Sequence, residues 1–317
     1  MALEASETYL SDLSSKDKPW DTHRSQSEAV ERLYKAGGFD RYSERVRDCS
    51  NRLQFALTAD VQGDVVFRLY AARFCRVRFC PVCQWRRSLM WRARFYTALP
   101  KALEDHPSLI PVFLTFTVRN CPVGELRSQV KQMNEAFGRL TKRASWPGVG
   151  WVKSLEVTRN EETGEAHPHF HVLAFVRPGY FSGQGYLNQA KWRELWGECL
   201  RVAYTPVVHV KRVKSEKKGD AEALRIAILE TLKYSVKPED LVADSEWLYG
   251  VTHQLHKMRA VAVGGTLKNY LREEEPEDLI HEEESVPEEL ETDSTNYLYF
   301  DWMTLVKRYA AAEVNSN

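Results

Sequence analysis

The sequence predicts an α+β protein: a ferredoxin-like β-α-β-β-α-β unit with an antiparallel central sheet, preceded by a Cys- and Arg-rich zinc module. Three observations predict it. Strand and helix signals alternate with short connections through the middle of the chain, four of the six cysteines crowd between Cys49 and Cys83, and 43% hydrophobic residues with nine Trp supply a core. That composition excludes global disorder.

Residues 1–45 are polar and weakly periodic and read as a variable arm. Residues 46–105 form the Cys/Arg-rich module, with a strand-like stretch at Val65 to Tyr70 and a helix starting near Val82. Residues 106–271 carry the main domain. Its first strand is the β-branched and aromatic run Pro111 to Val118. Leu126, Val130, Met133, Phe137 and Leu140 then recur at three- and four-residue steps, the buried stripe of one helix. Strands at Trp151 to Arg159 and His169 to Val176 flank the turn-rich NEETGEA and make a hairpin. Asn188 caps a helix whose Trp192, Leu195, Trp196, Cys199 and Leu200 share a face, and a fourth strand follows at Val207 to Val213. In this topology the first and third strands lie at the sheet centre.

A helix from Asp220 to Val236, another from Ser245 to Lys257, and the strand-like MRAVAV before Gly264 extend the unit. Residues 272–317 read as an acidic linker and a short C-terminal helix over Tyr297 to Ala312.

The formal net charge of zero hides an asymmetry. Arg272 to Asp293 holds twelve acidic residues and one Arg, so the remainder carries about +11. Between Arg73 and Lys101 there are eight Lys or Arg and no acid, the imbalance expected where a polyanion docks, although a solvated helix face would also read this way. Arg76, Arg78, Arg86, Arg87, Arg92 and Arg94 are the candidate DNA contacts. No apolar stretch is long enough to span a bilayer, and the N-terminus lacks an apolar signal core; the expected location is the cytoplasm, with no membrane partner.

His167, His169 and His171 occupy alternate positions, so on a strand all three imidazoles point to one face. With the hairpin turn centred between Glu162 and Thr163, position 156 opposes 169 and position 154 opposes 171. Glu156 then faces His169 within cross-strand reach. Two imidazoles and a carboxylate with open positions suit Mg²⁺ or Mn²⁺ better than structural Zn²⁺; local hydrogen bonding of the histidines is the plainer reading. His209, His253 and His256 read as ordinary surface or core histidines. On the expected helix, Glu230, Tyr234 and Lys237 fall at i, i+4 and i+7 and meet as neighbours. A base, a hydroxyl nucleophile and a cation in one row suit phosphoryl transfer to a protein oxygen, while a surface Glu-Lys pair beside a half-buried Tyr is the bland alternative.

Cys75, Cys80 and Cys83, preceded by Cys49, supply four thiols for tetrahedral Zn²⁺. The same spacing occurs around plant-type iron–sulfur clusters, but the basic, Trp-rich QWRRSLMWRARF that follows suits a phosphate backbone better than redox partners. Cys121 and Cys199 read as packing residues.

VFLTFTVRN (112–120), HPHFHVLAFV (167–176) and ETLKYSVK (230–237) together resemble the three ordered motifs of the HUH endonucleases. More closely, they resemble the rolling-circle replication initiators of small multicopy bacterial plasmids, in the branch with one tyrosine and a Glu four residues before it. The resemblance runs from about Cys49 to Lys268 and includes CRVRFCPVCQWRRS. It implies the HUH endonuclease fold and a nickase that opens one strand of origin DNA. It also implies that His169 and His171 hold the cation, with Glu156 or His167 as third ligand, and that Tyr234 attacks the scissile phosphate. Glu230 would activate water at termination, Lys237 would assist, and a host helicase and DNA polymerase would be partners. The competing class is a non-catalytic single-strand binder whose sheet reads bases with Phe113 and Phe170, as RNA-binding domains do. A relaxase or transposase would share the chemistry.

Overall fold

The computed structural model describes residues 8–59, 62–213, 218–271 and 297–312. In chain order, α1 (Leu10–Leu13), α2 (Pro19–Ala36) and α3 (Asp40–Arg47) precede β1 (Arg52–Ala59) and β2 (Val65–Ala72). Helix α4 (Pro81–Asp105) leads to β3 (Ile110–Thr117), α5 (Leu126–Leu140), β4 (Gly148–Arg159), β5 (Ala166–Val176), α6 (Gln189–Leu200) and β6 (Val208–Arg212). Then come α7 (Lys218–Thr231), α8 (Pro238–Ala243), α9 (Ser245–Gln254) and β7 (Val261–Gly265), and last β8 (Tyr297–Met303) and β9 (Arg308–Ala312). Two compact units result: Met1–Arg87 with Pro276–Asn317, and Ser88–Glu275. The division falls inside α4, rather than near residue 105 where composition changes.

The first unit contains an antiparallel sheet of order β2-β1-β8-β9. Two expectations are corrected here. The N-terminal segment is not merely an arm: α2 buries Trp20, Val30 and Tyr34, and Tyr309 donates to the Ser50 carbonyl at 2.7 Å. Its periodicity was hidden because Arg24, Ser27 and Glu28 are buried among these apolar residues. The C-terminal segment is a β-hairpin, not a helix, with Leu53 opposite Phe300. A strand whose partner lies some 250 positions away leaves no local signature. The acidic segment lies outside the described residues.

The second unit holds a five-stranded antiparallel sheet of order β6-β3-β5-β4-β7. Among β3 to β6, the first and third strands are the inner pair. One face packs on α5 and α6, where Phe116 meets Phe137, Trp192 and Trp196 at ring separations of 6.0, 6.0 and 4.9 Å. Every residue of the expected α5 stripe is buried, and Asn188 caps α6 by accepting from the Lys191 N–H at 2.9 Å. Edge strand β7 approaches β4 closely enough that a Cβ on Gly264 would lie 2.1 Å from the Trp151 ring. On the other face, Val152, Leu173, Phe175 and Val263 join Trp91 and Phe95 of α4 and Ile228 of α7 in one apolar cluster. Further along that same face the residues turn polar: Ser154, Glu156, His169 and His171. The candidate site therefore begins where the apolar cover ends.

The expected helix through Val236 is also corrected. Helix α7 starts at Lys218, so Asp220 is inside it, and it stops at Thr231, before Tyr234. Two tertiary ties hold the following residues out of the helix. The Val157 N–H donates to the Ser235 carbonyl at 2.8 Å, and Lys233 pairs with Glu156. Lys237 is extended (φ −65°, ψ 133°), the conformation Pro238 imposes on its predecessor. Glu230, Tyr234 and Lys237 consequently do not share one helical face.

Candidate active site and metal centres

The hairpin sets the geometry of the second unit's polar cluster. Its turn is fixed by Asn160, whose side-chain oxygen accepts from the N–H groups of Glu162 and Thr163 at 3.0 and 2.9 Å, and by Gly164 at φ 71°. The resulting register opposes Glu156 to His169 and Ser154 to His171, as the turn position in the sequence requires. Glu156 Oε2 lies 2.6 Å from His169 Nε2 and 2.7 Å from His171 Nε2. All three side chains are buried. They form a three-donor group, with ligand atoms within 4.8 Å of one another. His167 stands beside His169, with ring centroids 5.4 Å apart, but is not part of that group.

The proton inventory shows why a cation fits. His169 Nδ1 lies 3.2 Å from the His167 carbonyl, which only accepts, so Nδ1 carries the hydrogen. Both Nε2 atoms converge on one carboxylate oxygen, a position that a proton or a cation can bridge. The His171 ring is held by Phe113 stacked at 5.6 Å and by Thr115 Oγ1 at 3.3 Å from Nδ1. Burial pushes Glu156 up, but hydrogen bonds from His169, His171 and Lys233 outweigh it and hold the carboxyl well below the usual carboxylate range. Burial pulls His171 below the ordinary imidazole value. The cluster thus keeps an ionised carboxylate facing two imidazoles.

Around it stand the residues of the tyrosine segment. Glu230 is 3.7 Å from His171 Nε2 and accepts from Lys233 at 2.7 Å. Lys233 also reaches Glu156 Oε2 at 2.8 Å. Sequence reasoning missed this lysine because its tie to Glu156 crosses to β4 and leaves no local signal. Lys237, the expected cation, is exposed and acts electrostatically on Asp240 instead. Tyr234 lies between Lys233 and Ser235, each tied to β4. Burial pushes its phenol up to about 12, with the Arg92 guanidinium pulling the other way. Tyr249 sits on α9.

In the first unit, Cys49, Cys75, Cys80 and Cys83 converge, all buried and none in a disulfide. The Sγ separations are 3.6 Å for Cys49 and Cys83, 3.5 Å for Cys75 and Cys83, and 3.7 Å for Cys80 and Cys49. Burial raises the Cys75 thiol. Cys80, though burial also opposes its charge, is drawn well below the usual thiol range by hydrogen bonds from the other three thiols and Ser27. Either cluster can hold a metal ion. Cys121 and Cys199 are buried and stand outside both groups.

The candidate DNA-contact arginines are all half-buried. Arg86 is stacked over Trp20, Trp85 and Phe74 at 5.4, 5.8 and 5.9 Å, and Arg78 over Phe79 at 5.6 Å. Arg92 and Arg94 belong to the second unit. Phe170, a stacking candidate for a single-strand binder, is 1% exposed and packs on Phe137 on the opposite face from the histidines. Among the described residues no helix is long and apolar enough to cross a membrane.

A family model described as "Replication protein" matches residues 66–310. A "Protein rep" of Streptococcus pneumoniae is 36% identical over 259 residues, covering 80% of this chain and 78% of the relative. A "Protein rep" of Bacillus amyloliquefaciens is 34% identical, covering 78% and 77%. Another from Lactiplantibacillus plantarum is 34% identical, covering 81% and 87%. No solved structure matches the chain. With the family match spanning most of its length, this chain belongs to the replication protein family.

Proposed function

We propose that this replication protein is a rolling-circle plasmid initiator of the HUH endonuclease kind, nicking one strand of origin DNA through Tyr234. The observation that carries the reading is the pair of ties bracketing Tyr234. Its neighbour Lys233 is ion-paired to Glu156, and Ser235 accepts from the Val157 N–H, so the phenol-bearing backbone runs beside the strand that carries the cluster. The strand order, in which β3 and β5 are the inner pair of β3 to β6, supports the same fold.

Glu156, His169 and His171 would hold Mg²⁺ or Mn²⁺. Such an ion supplies Lewis-acid polarisation of a phosphate oxygen. In the nicking step the Tyr234 Oη–P bond forms and the P–O3′ bond breaks. The phenolic proton is lost as the leaving oxygen gains one and becomes a free 3′-OH, and a 5′-phosphotyrosine remains. The number of phosphodiester linkages is unchanged, so no ATP is needed. With a phenol near 12, only about one in 10⁵ is ionised at pH 7, so deprotonation accompanies attack; the Arg92 guanidinium favours the developing phenolate. Glu230, partly open to solvent at the edge of the cluster, activates water for the terminating hydrolysis. Lys237, outside the cluster, would serve the DNA strand. The 3′-OH primes a host polymerase behind a host helicase in the cytoplasm.

The four thiols suit Zn²⁺. A regular tetrahedron with Zn–S of about 2.3 Å has edges of about 3.8 Å, close to the observed 3.5 to 3.7 Å. Arg76, Arg78, Arg87 and Arg94 are proposed as DNA contacts, with Arg86 serving mainly to brace the aromatic rings it covers. In a supercoiled-plasmid assay with Mn²⁺, Tyr234→Phe should lose nicking by about a thousandfold or more. Retained cleavage would contradict the assignment and turn attention to Tyr249.

A further inference from the structure

Three nitrogens converge on Glu156 Oε2: His169 Nε2 at 2.6 Å, His171 Nε2 at 2.7 Å and Lys233 Nζ at 2.8 Å. One carboxylate oxygen is thereby saturated. The two imidazoles are fixed on a strand and, for His171, by a stacked ring. Lysine 233 is different, because it lies beyond the end of α7 on a flexible stem and has a second acceptor in Glu230 Oε1 at 2.7 Å.

We propose that Lys233 is a positioning residue whose ammonium group stands in for the cation on Glu156 and must leave that oxygen when the cation binds. This inference rests on the assignment of Glu156, His169 and His171 as the cation ligands. An ion held by Glu156 Oε2 needs the carboxylate lone pairs that now face the ammonium group, and the two positive charges repel at such range. Displacement costs little because Glu230 keeps its hold on Lys233. Before loading, the ammonium group satisfies a buried carboxylate and keeps the Tyr234 backbone in register with β4. After loading, the same charge remains with Glu230 beside the nucleophile segment. Lys233 therefore limits cation affinity while protecting the order of the empty site.

Mn²⁺ binding, followed on the intact protein by electron paramagnetic resonance and calorimetry without DNA, separates this from a purely structural role. Lys233→Met and Lys233→Gln should bind Mn²⁺ about tenfold more tightly than the parent, the scale of a modest coupling between two sites. Lys233→Arg, which retains the charge, should bind as the parent does. Circular dichroism establishes that each variant is folded. If both neutral variants bind no more tightly than the parent, while His171→Ala abolishes binding, the role given to Lys233 is wrong and the ligand assignment stands. If parent binding is absent or indifferent to His169→Ala and His171→Ala, the ligand assignment itself fails.

Discussion

Four thiols in the first unit enclose one point, whereas the second unit brings two imidazoles and a carboxylate to one side of a sheet. The thiols are each no more than 8% exposed and fill a tetrahedron among themselves. The histidine cluster has three donors, a carboxylate already shared with a lysine, and Glu230 at its edge with a side chain 43% exposed. A closed set of protein ligands braces a fold, while an incomplete set leaves positions for a substrate oxygen. The surroundings follow the same division. The second unit carries its own broad core around Phe116, Phe175, Trp192 and Trp196.

The largest effect is expected at the thiol cluster. Cys80→Ser should lower zinc content from about one per chain to none and cost the first unit several kcal/mol, visible as an early thermal transition, because structural metal binding is also folding free energy. A matching loss of the second unit's transition would show that its core does not stand alone. Next in size, His171→Ala should weaken Mn²⁺ binding by about a hundredfold or more with zinc content unchanged. Loss of zinc in that variant would mean the two clusters are not separate sites.

A smaller effect concerns the core of the second unit. Lys153 is buried, donates to Asn134 at 2.5 Å and lies 3.9 Å from the Phe170 ring centre; burial pulls it down to about 7. Between about pH 7 and its unfolded value near 10.5, the unfolded chain holds a proton that the folded chain lacks, so the folded state gains stability as pH rises. Removing the charge relieves a cost of up to about 4 kcal/mol at pH 7, so Lys153→Met should stabilise the second unit by that amount less what its hydrogen bond and ring contacts contribute. The gain should fade towards pH 10.5, as followed by urea denaturation. A gain that does not vary with pH would attribute it to packing alone.

What the sequence made legible was local. Alternation and a turn of known residues were enough to pair Glu156 with His169, because hairpin register follows from the loop. Cysteine spacing likewise marked the thiol cluster. Helix α7 was misjudged because its end is set by ties from β4 and by Pro238, and strand ties lie outside the reach of propensity. Lys233 went unseen for the same reason. The helix expected at Tyr297 is a strand because β1 pairs with it across most of the chain, and α2 was overlooked because its buried face carries Arg24, Ser27 and Glu28.

On the function proposed above, one phenol works beside one three-donor cluster. Incubating the protein with a single-stranded oligonucleotide bearing the nick site and Mn²⁺, then digesting and sequencing by mass spectrometry, should find a 5′-phosphonucleotide on Tyr234, absent from the His169→Ala variant. A cleaved oligonucleotide with the adduct on another residue, or with no adduct at all, would contradict it.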